Sequence, residues 1–70
     1  MILDIQKVMI AGAEKKMNLK DIAMAAGITQ QTMLRIKQGQ AIRMKTAGEI
    51  AEVLGVKVAM LLKNWQGYGL

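Results

Sequence analysis

The sequence predicts an all-α fold, a compact bundle of about five short helices, and three observations lead to that prediction. Apolar residues recur at the spacing of amphipathic helices in several separate segments. Residues that cap or end helices stand at the boundaries of those segments. The chain has 70 residues, seven Met and no Phe. A single small domain, 1–70, must therefore build its core mainly from Ile, Leu, Val, Ala and Met.

The first helix is predicted from Ile2 to Met17. Its apolar residues recur at helical spacing, and they are Ile2, Ile5, Val8, Met9, Ala13 and Met17. Asp4 near its start and Lys15 and Lys16 near its end suit the helix dipole. Gly12 weakens a helix interior by about 1 kcal/mol relative to Ala, so we expect another element to pack closely there.

Residues 18–38 predict two short helices joined by a glycine turn. Asn18 is a good N-cap, and Asp21 three residues later comes close to a capping box. The second helix is predicted over Leu19–Ala26. It ends at Gly27, where the backbone typically needs the left-handed conformation that glycine adopts easily. The third helix follows at once, with Thr29 as its N-cap.

The spacing of small and apolar residues in this stretch indicates a helix-turn-helix. Ala23 precedes Gly27 by four residues, and Ile28 follows the glycine directly. Met33 and Ile36 come six and nine residues after it, where a helix-turn-helix needs its shared core. A glycine after a helix is usually only a C-cap, but the full set of spacings favours the helix-turn-helix over an unrelated helical hairpin.

The third helix is predicted to present a polar face. At about 100° per residue, Met33 and Ile36 point inward with Thr29 beside them. The outward residues are Gln31, Leu34 and Gln38, flanked by Gln30 and Arg35. In the DNA major groove, glutamine pairs with adenine, arginine pairs with guanine, and apolar groups contact the thymine methyl. A single exposed leucine is also common and needs no such explanation.

After the third helix, the chain is predicted to be irregular from Gly39 to Lys45. Thr46 and Glu49 have the spacing of a capping box that opens a fourth helix over Ala47–Leu54, and Gly55 ends it. The buried stripe of this helix is Ile50, Val53 and Leu54. The unpaired N–H groups at its start form a natural phosphate site.

A short fifth helix is predicted over Val58–Lys63, within a possible dimerisation segment, 56–70. Its apolar run exceeds what one helix face can bury, so part is expected to cover the core and part to contact a second copy. The dimer candidates are Val58, Leu61, Leu62, Trp65 and Tyr68. The two aromatic residues fit equally well with packing over their own core or contacting a partner subunit.

Composition and charge narrow the function. Ten Lys and Arg against five Asp and Glu give a net charge of +5, which favours nucleic acid or an anionic membrane as partner. Four basic residues form a cluster that contains no acid: Arg35, Lys37, Arg43 and Lys45. The absence of His, Cys and Ser removes the usual nucleophiles, general bases and zinc ligands. We predict no enzyme, cofactor, metal or small-molecule site, and a cytoplasmic protein without a membrane span.

The sequence resembles the helix-turn-helix of the lambdoid phage repressor and Cro family, also called the XRE family. The matching residues are Asn18, Ile22, Ala23, Gly27, Ile28, Thr29, Gln30, Gln31, Thr32, Met33, Ile36 and Gly39. The later stretch Lys45–Val56 resembles the fourth helix of that family and the turn after it. The resemblance implies a lambda-repressor-like domain in a bacterial host cell. Such a domain binds a double-stranded operator as a homodimer, with half-sites about 34 Å apart.

The resemblance also implies roles for individual residues. The implied base contacts are Gln30, Gln31, Leu34 and Arg35, and Gly27 forms the turn. The implied DNA backbone contacts are Asn18, Lys20, Thr29, Lys37, Gln38, Gln40, Arg43, Lys45 and Thr46. Leu19 stands where many relatives have a glutamine that contacts phosphate. Gly12 and Lys37 stand where many have an Arg–Glu pair, so both partners of that pair are absent together.

Three functions are consistent with these features. The motif, the outward glutamines and the basic cluster favour a sequence-specific transcriptional regulator, such as a repressor of a phage or mobile element. Leu34 and the apolar C-terminal segment are the reasons to keep a second function, a non-catalytic adaptor or antirepressor with the same fold. The third is a basic amphipathic membrane binder. It is disfavoured because the apolar residues divide among several short, well-capped helices.

Overall fold

The computed structural model describes residues 1–63, and it is all-helical there, as predicted. Its α-helices are α1 (Ile5–Glu14), α2 (Leu19–Ala26), α3 (Gln30–Lys37) and α4 (Met44–Leu54). A short 3-10 turn, Val58–Leu61, stands where the sequence predicts a fifth α-helix. The tail 64–70 contains the dimer candidates Trp65 and Tyr68 and lies outside the described residues.

The local signals around α2 produce the predicted structure. The Asn18 side chain accepts a hydrogen bond from the Asp21 N–H (2.8 Å), and the Asp21 carboxylate accepts one from the Asn18 N–H (3.0 Å). Gly27 ends the helix in the left-handed conformation, with φ +70°, which a residue with a Cβ adopts only at a cost. The N–H of Ile28 then donates to the Ala23 carbonyl (3.0 Å). The predicted bounds of α2 are confirmed.

α1 begins at Ile5 rather than at Ile2, because Asp4 is its N-cap. The Asp4 carboxylate accepts a hydrogen bond from the N–H of Gln6 (2.9 Å). Residues 1–4 precede the helix, with Leu3 buried at 1% exposure and Ile2 exposed at 42%. The helical pattern assigned to Ile2 is therefore wrong, since its neighbour Leu3 is the residue that enters the core.

Residues 1–4, the N-terminal segment, hydrogen-bond to two distant stretches of the chain. These backbone bonds join the Met1 carbonyl to the Ile42 N–H (2.7 Å), the Ile2 carbonyl to the Lys63 N–H (3.0 Å) and the Leu61 carbonyl to the Asp4 N–H (2.8 Å). Leu62 pairs with Leu3 in an isolated antiparallel bridge. The prediction that Leu62 is helical is therefore wrong. The segment therefore ties the loop between α3 and α4 to the end of the 3-10 turn.

α1 also ends earlier than predicted, at Glu14 rather than at Met17. Lys16 adopts a positive φ of 59°, and the N–H of Met17 turns back to the Gly12 carbonyl (2.8 Å). Three of the apolar residues that recur at helical spacing in the predicted first helix are exposed rather than packed in the core, and they are Ile2, Met9 and Ala13.

α4 begins at Met44, three residues before its predicted start. Arg43 is its N-cap and makes no side-chain capping bond. The N–H of Ala47 already donates to the Arg43 carbonyl (3.0 Å), so Thr46 lies inside the first turn. The predicted capping box at Thr46 and Glu49 is wrong, because the backbone before Thr46 is already helical.

The core lies mainly between α2 and α4, and the N-terminal segment and the 3-10 turn cover one end of it. Its largest fully buried side chains are Leu3, Val8, Ile22, Ile36, Ile50 and Leu61. At Gly12, a Cβ atom would lie 2.8 Å from Cδ1 of Ile22 and 2.9 Å from the Met17 carbonyl oxygen. The close packing predicted at Gly12 is confirmed.

Candidate nucleic-acid interface

α3 is held against the core by one face, which leaves the opposite face to solvent. Met33 and Ile36 are buried, at 3% and 1% exposure. The Thr29 hydroxyl caps the helix by accepting a hydrogen bond from the N–H of Thr32 (3.1 Å). The cap role predicted for Thr29 is confirmed. Thr29 is exposed, however, so the inward position predicted for it is wrong.

The exposed side of α3 and the residue after it, which we call the outer face, has the composition that the sequence predicts. Its members are all exposed: Gln30, Gln31, Leu34, Arg35 and Gln38. Leu34 lies among these polar side chains and is 47% exposed. Each glutamine amide offers both donors and an acceptor, and the leucine offers an apolar surface. This is the set of groups that base edges in a major groove can contact.

Beside the outer face lies a groove of about 380 Å³ between α3 and the start of α4. We call it the arginine groove, and it is lined by Thr32, Arg35, Ala41, Ile42, Arg43 and Thr46. Its lining includes two guanidinium groups and two hydroxyl groups but no acidic side chain. Guanidinium groups bind phosphate oxygens through short, charge-assisted hydrogen bonds. The groove is therefore suited to a phosphate of a nucleic-acid backbone.

The first turn of α4 borders the same groove. The N–H groups of Met44, Lys45 and Thr46 precede the first intrahelical hydrogen bond, which runs from Ala47 to Arg43. Such N–H groups give the start of a helix a partial positive charge. A phosphate site at the start of the fourth helix stays a prediction, and the structure moves its position by three residues toward Arg43.

The loop between α3 and α4 is held by backbone hydrogen bonds at both ends. The N–H of Gln40 donates to the Arg35 carbonyl (2.9 Å), and the N–H of Ile42 donates to the Met1 carbonyl (2.7 Å). At the first of these ends, Nε2 of Gln40 also donates to Oε1 of Gln38 (2.9 Å). The position of the arginine groove is thus set jointly by α3 and by the N-terminal segment.

The structure does not bring all the predicted backbone contacts together. Arg43 and Thr46 line the arginine groove, Lys37 and Gln38 line a second groove, and Asn18 lines a third. The second groove also has Asp4 in its lining, and a carboxylate there opposes phosphate binding. At Asn18 the side-chain oxygen is occupied by the capping box, so only its amide N–H groups are left as donors. Lys20, Gln40 and Lys45 are exposed.

Thr32 is the polar member of the arginine groove that the sequence does not predict as a site residue; the apolar members Ala41 and Ile42 are not predicted either. Its hydroxyl lies 3.1 Å from the Thr29 hydroxyl, at the groove edge nearest the start of α3. Thr32 and Arg35 are three residues apart on one helix and therefore share a face. That spacing was the available signal for placing the two side chains together.

The described residues hold neither a metal cluster nor a membrane span. Among residues 1–63, no group of three or more His, Cys, Asp and Glu side chains is arranged to hold a metal ion. Within the same range, every helix is too short or too polar to cross a lipid bilayer.

Comparison with protein-family models assigns the chain to a family. Residues 5–63, which include all the described helices, match the model of a Cro/C1-type helix-turn-helix DNA-binding domain. The chain belongs to this Cro/C1-type family. No curated protein and no solved structure matches it.

Membership confirms the resemblance found in the sequence and the lambda-repressor-like fold class. The Cro/C1-type domain is a DNA-binding domain, and its members are DNA-binding regulators whose fold generally has no catalytic role. In this chain, the helix that follows the glycine turn is α3, and its outer face stands beside the arginine groove.

Proposed function

We propose that this Cro/C1-type domain is a sequence-specific transcriptional regulator that inserts α3 into the major groove of double-stranded DNA. In this proposal it is a cytoplasmic repressor of the phage or mobile-element type, and it binds a palindromic operator as a homodimer. The observation that carries the proposal is the exposed outer face of α3, anchored from behind by Met33 and Ile36. An anchored helix presents its side chains in a defined register, which reading a base sequence requires.

The base-reading role belongs to the outer face. Gln30 and Gln31 at the start of α3 can each form a paired contact with adenine, and Leu34 can contact a thymine methyl. Recognition helices commonly place their N-terminal residues against base edges. A contact with a thymine methyl would account for the apolar side chain of Leu34 among polar neighbours.

The backbone-holding role belongs mainly to the arginine groove. Arg43 and Thr46 line it together with Thr32 and Arg35, and they border the free N–H groups of α4. This environment favours a phosphate contact for Arg35, rather than the base contact that the resemblance implies. A phosphate held here would fix the register of α3 on the duplex without reading its sequence.

The remaining proposed backbone contacts lie around this centre. They are Asn18, Lys20, Thr29, Lys37, Gln38, Gln40 and Lys45, and all of them are exposed. Exposed lysines add affinity that depends on salt but not on sequence, because each phosphate contact releases condensed counterions.

A non-catalytic adaptor or antirepressor with the same fold is the second candidate. One observation favours it: large apolar side chains are exposed at Leu34 (47%) and at Met44 (74%), on the two helices that border the arginine groove. An adaptor would use these side chains to contact a protein instead of a duplex.

Selection from a pool of randomised duplexes, followed by titration at several salt concentrations, tests the proposal. A regulator enriches one palindromic sequence and binds random duplex with a steep decrease of affinity as salt rises. Enrichment of no sequence, together with weak binding that salt does not change, would favour the adaptor. Strong, salt-dependent binding without enrichment would contradict sequence-specific reading by α3.

A further inference from the structure

A second surface of the molecule, away from the outer face of α3, lies along α1. A groove of about 180 Å³ separates α1 from the residues that follow α4. It is lined by Lys7, Ile10, Ala11 and Glu14 on one side and by Val56, Met60 and Leu61 on the other. We call it the α1 groove.

The α1 groove has two exposed apolar side chains in its walls. Ile10 is 61% exposed and Met60 is 63% exposed, whereas Ala11 between them is 9% exposed. Single exposed apolar residues are common on protein surfaces. Two that border the same groove form a contiguous patch, and contiguous patches mark interaction surfaces.

The order of charges on α1 is the second observation. Lys7 lies in the first turn and Glu14 is the last residue of the helix. The helix dipole favours the opposite order, with acids at the start and bases at the end. The flanking Asp4 and Lys15 follow the favoured order, so the dipole of α1 does not account for the inverted pair inside the helix.

The four α1 residues of the groove form a pattern that is complementary to itself. They follow one another at i, i+3, i+4 and i+7, which places them on one face of the helix. The midpoint between Lys7 and Glu14 along the helix is also the midpoint between Ile10 and Ala11. If a second α1 packs antiparallel about a two-fold axis at that point, every charged residue meets one of opposite sign.

We propose that the α1 groove is the interface between two copies of this chain. In that dimer Lys7 lies opposite Glu14 of the partner subunit, and Ile10 packs over Ala11 of the partner subunit. The same contacts recur on the other side of the axis, as an isologous interface requires. Lys7 is held at the groove edge because its Nζ donates to the Leu62 carbonyl (3.0 Å), and its ammonium has further donors for a carboxylate.

This inference rests on the homodimer of the proposed function and assigns it a surface. That surface overlaps the predicted dimerisation segment 56–70 at Val56, Met60 and Leu61, and it adds one face of α1. Leu61 lines this groove but is 1% exposed and packs in the core of its own chain, so it offers little surface to a partner, and its role as a dimer candidate stays a prediction. Val58 and Leu62 are partly buried and pack against the same core. A seam of one helix face is smaller than the roughly 800 Å² per partner of a standard interface, so we expect a weak dimer in the absence of DNA.

Charge reversal tests the inference by sedimentation equilibrium of the full chain without DNA. Lys7→Glu or Glu14→Lys alone places like charges opposite each other twice, and each should weaken self-association about tenfold. The double variant, which carries both substitutions, should recover self-association. An equimolar mixture of the two single variants should form a heterodimer, because both pairs between positions 7 and 14 are again of opposite sign. A folding defect in either single variant could not be repaired by mixing.

Two controls match the change in net charge. Glu52→Lys raises the net charge by the same amount as Glu14→Lys. Lys20→Glu lowers the net charge by the same amount as Lys7→Glu. Both residues are exposed and neither lines the α1 groove, so self-association should stay within about twofold of the unchanged chain.

Two results would overturn the inference. The first is equal self-association of the unchanged chain and both single variants, and the second is no self-association of the unchanged chain. The proposed function fails separately: loss of duplex binding by a chain that still self-associates would count against DNA reading and not against this interface.

Discussion

At the residue scale, Gln30 and Arg43 are both exposed polar side chains that stand in different surroundings. Gln30 is the first residue of α3 and belongs to the outer face. Arg43 is the N-cap of α4 and lines the arginine groove. A side chain that contacts base edges changes sequence preference, whereas one that contacts phosphate changes the affinity for every sequence. Their substitutions should therefore have different effects in the same pair of titrations.

Gln30→Ala should reduce the ratio of selected-duplex to random-duplex affinity. The loss of a paired contact to a base costs about 1–3 kcal/mol of discrimination, and fluorescence anisotropy titration with both duplexes measures it. Gln6→Ala is the matched control, because Gln6 is an exposed glutamine on α1. An unchanged ratio in Gln30→Ala would show that this residue does not read a base.

Arg43→Ala should weaken binding to selected and random duplexes by similar factors. Because one phosphate contact is lost, the slope of log affinity against log salt should become shallower by about one unit. Lys57→Ala removes an exposed positive charge that does not line the arginine groove and should leave the slope nearly unchanged. A change in sequence preference with an unaltered slope would instead place Arg43 against a base.

At the element scale, two glycines inside helices differ in what surrounds them. On α1, a Cβ at Gly12 would approach a side-chain atom of Ile22 and the Met17 carbonyl oxygen within 3 Å. On α4, a Cβ at Gly48 would meet nothing within 4 Å. Helix propensity favours alanine at both positions, so the difference between the two substitutions isolates the packing between α1 and α2.

Gly48→Ala should raise the free energy of unfolding by up to about 1 kcal/mol, through helix propensity alone. Gly12→Ala should lower the free energy of unfolding by about 1 kcal/mol. The added methyl group gains the same helix propensity, but overpacking against Ile22 and Met17 costs about 1–3 kcal/mol, which is more. Urea denaturation of both variants measures the contrast. A gain in both would mean that α1 and α2 are not in close contact at Gly12.

The elements also differ in how far the sequence predicts them. α2 and the turn after it are predicted to the residue, because Asn18, Asp21 and Gly27 act on backbone groups within four positions of themselves. α4 begins earlier than its best local signal at Thr46, since Arg43 takes the cap position without a side-chain bond. Likewise, the outer face of α3 follows from its period, but the arginine groove requires the position of α4 relative to α3.

At the scale of the whole molecule, the N-terminal segment links the loop between α3 and α4 to the last of the described residues. Its backbone bonds reach Ile42 on one side, and Leu61 and Lys63 on the other. Leu3 is the side chain that fixes it to the core. A change at the N-terminal segment should therefore alter the loop that carries Arg43, although the segment itself does not line the arginine groove.

Leu3→Ala should lower the free energy of unfolding by about 2–5 kcal/mol, the usual cost of removing a buried leucine side chain. It should also speed hydrogen exchange at the Ile42 N–H, which is bonded to the Met1 carbonyl. Ile2→Ala is the matched control, since Ile2 is 42% exposed and its truncation should change little. Equal effects of the two substitutions on urea denaturation and on exchange would contradict this arrangement.

The fold class, the helix-turn-helix with its caps and the polar side of α3 could all be predicted from the amino-acid sequence. These features depend on hydrogen bonds and side-chain periods between residues that are close along the chain. Three features required the folded molecule: residues 1–4 lie outside α1, Leu61 belongs to the core, and Arg35 and Arg43 share a groove. Each of these depends on contacts between parts of the chain that are distant in sequence, or on the packing of one helix against another. The spacing of residues within a short segment does not predict such contacts.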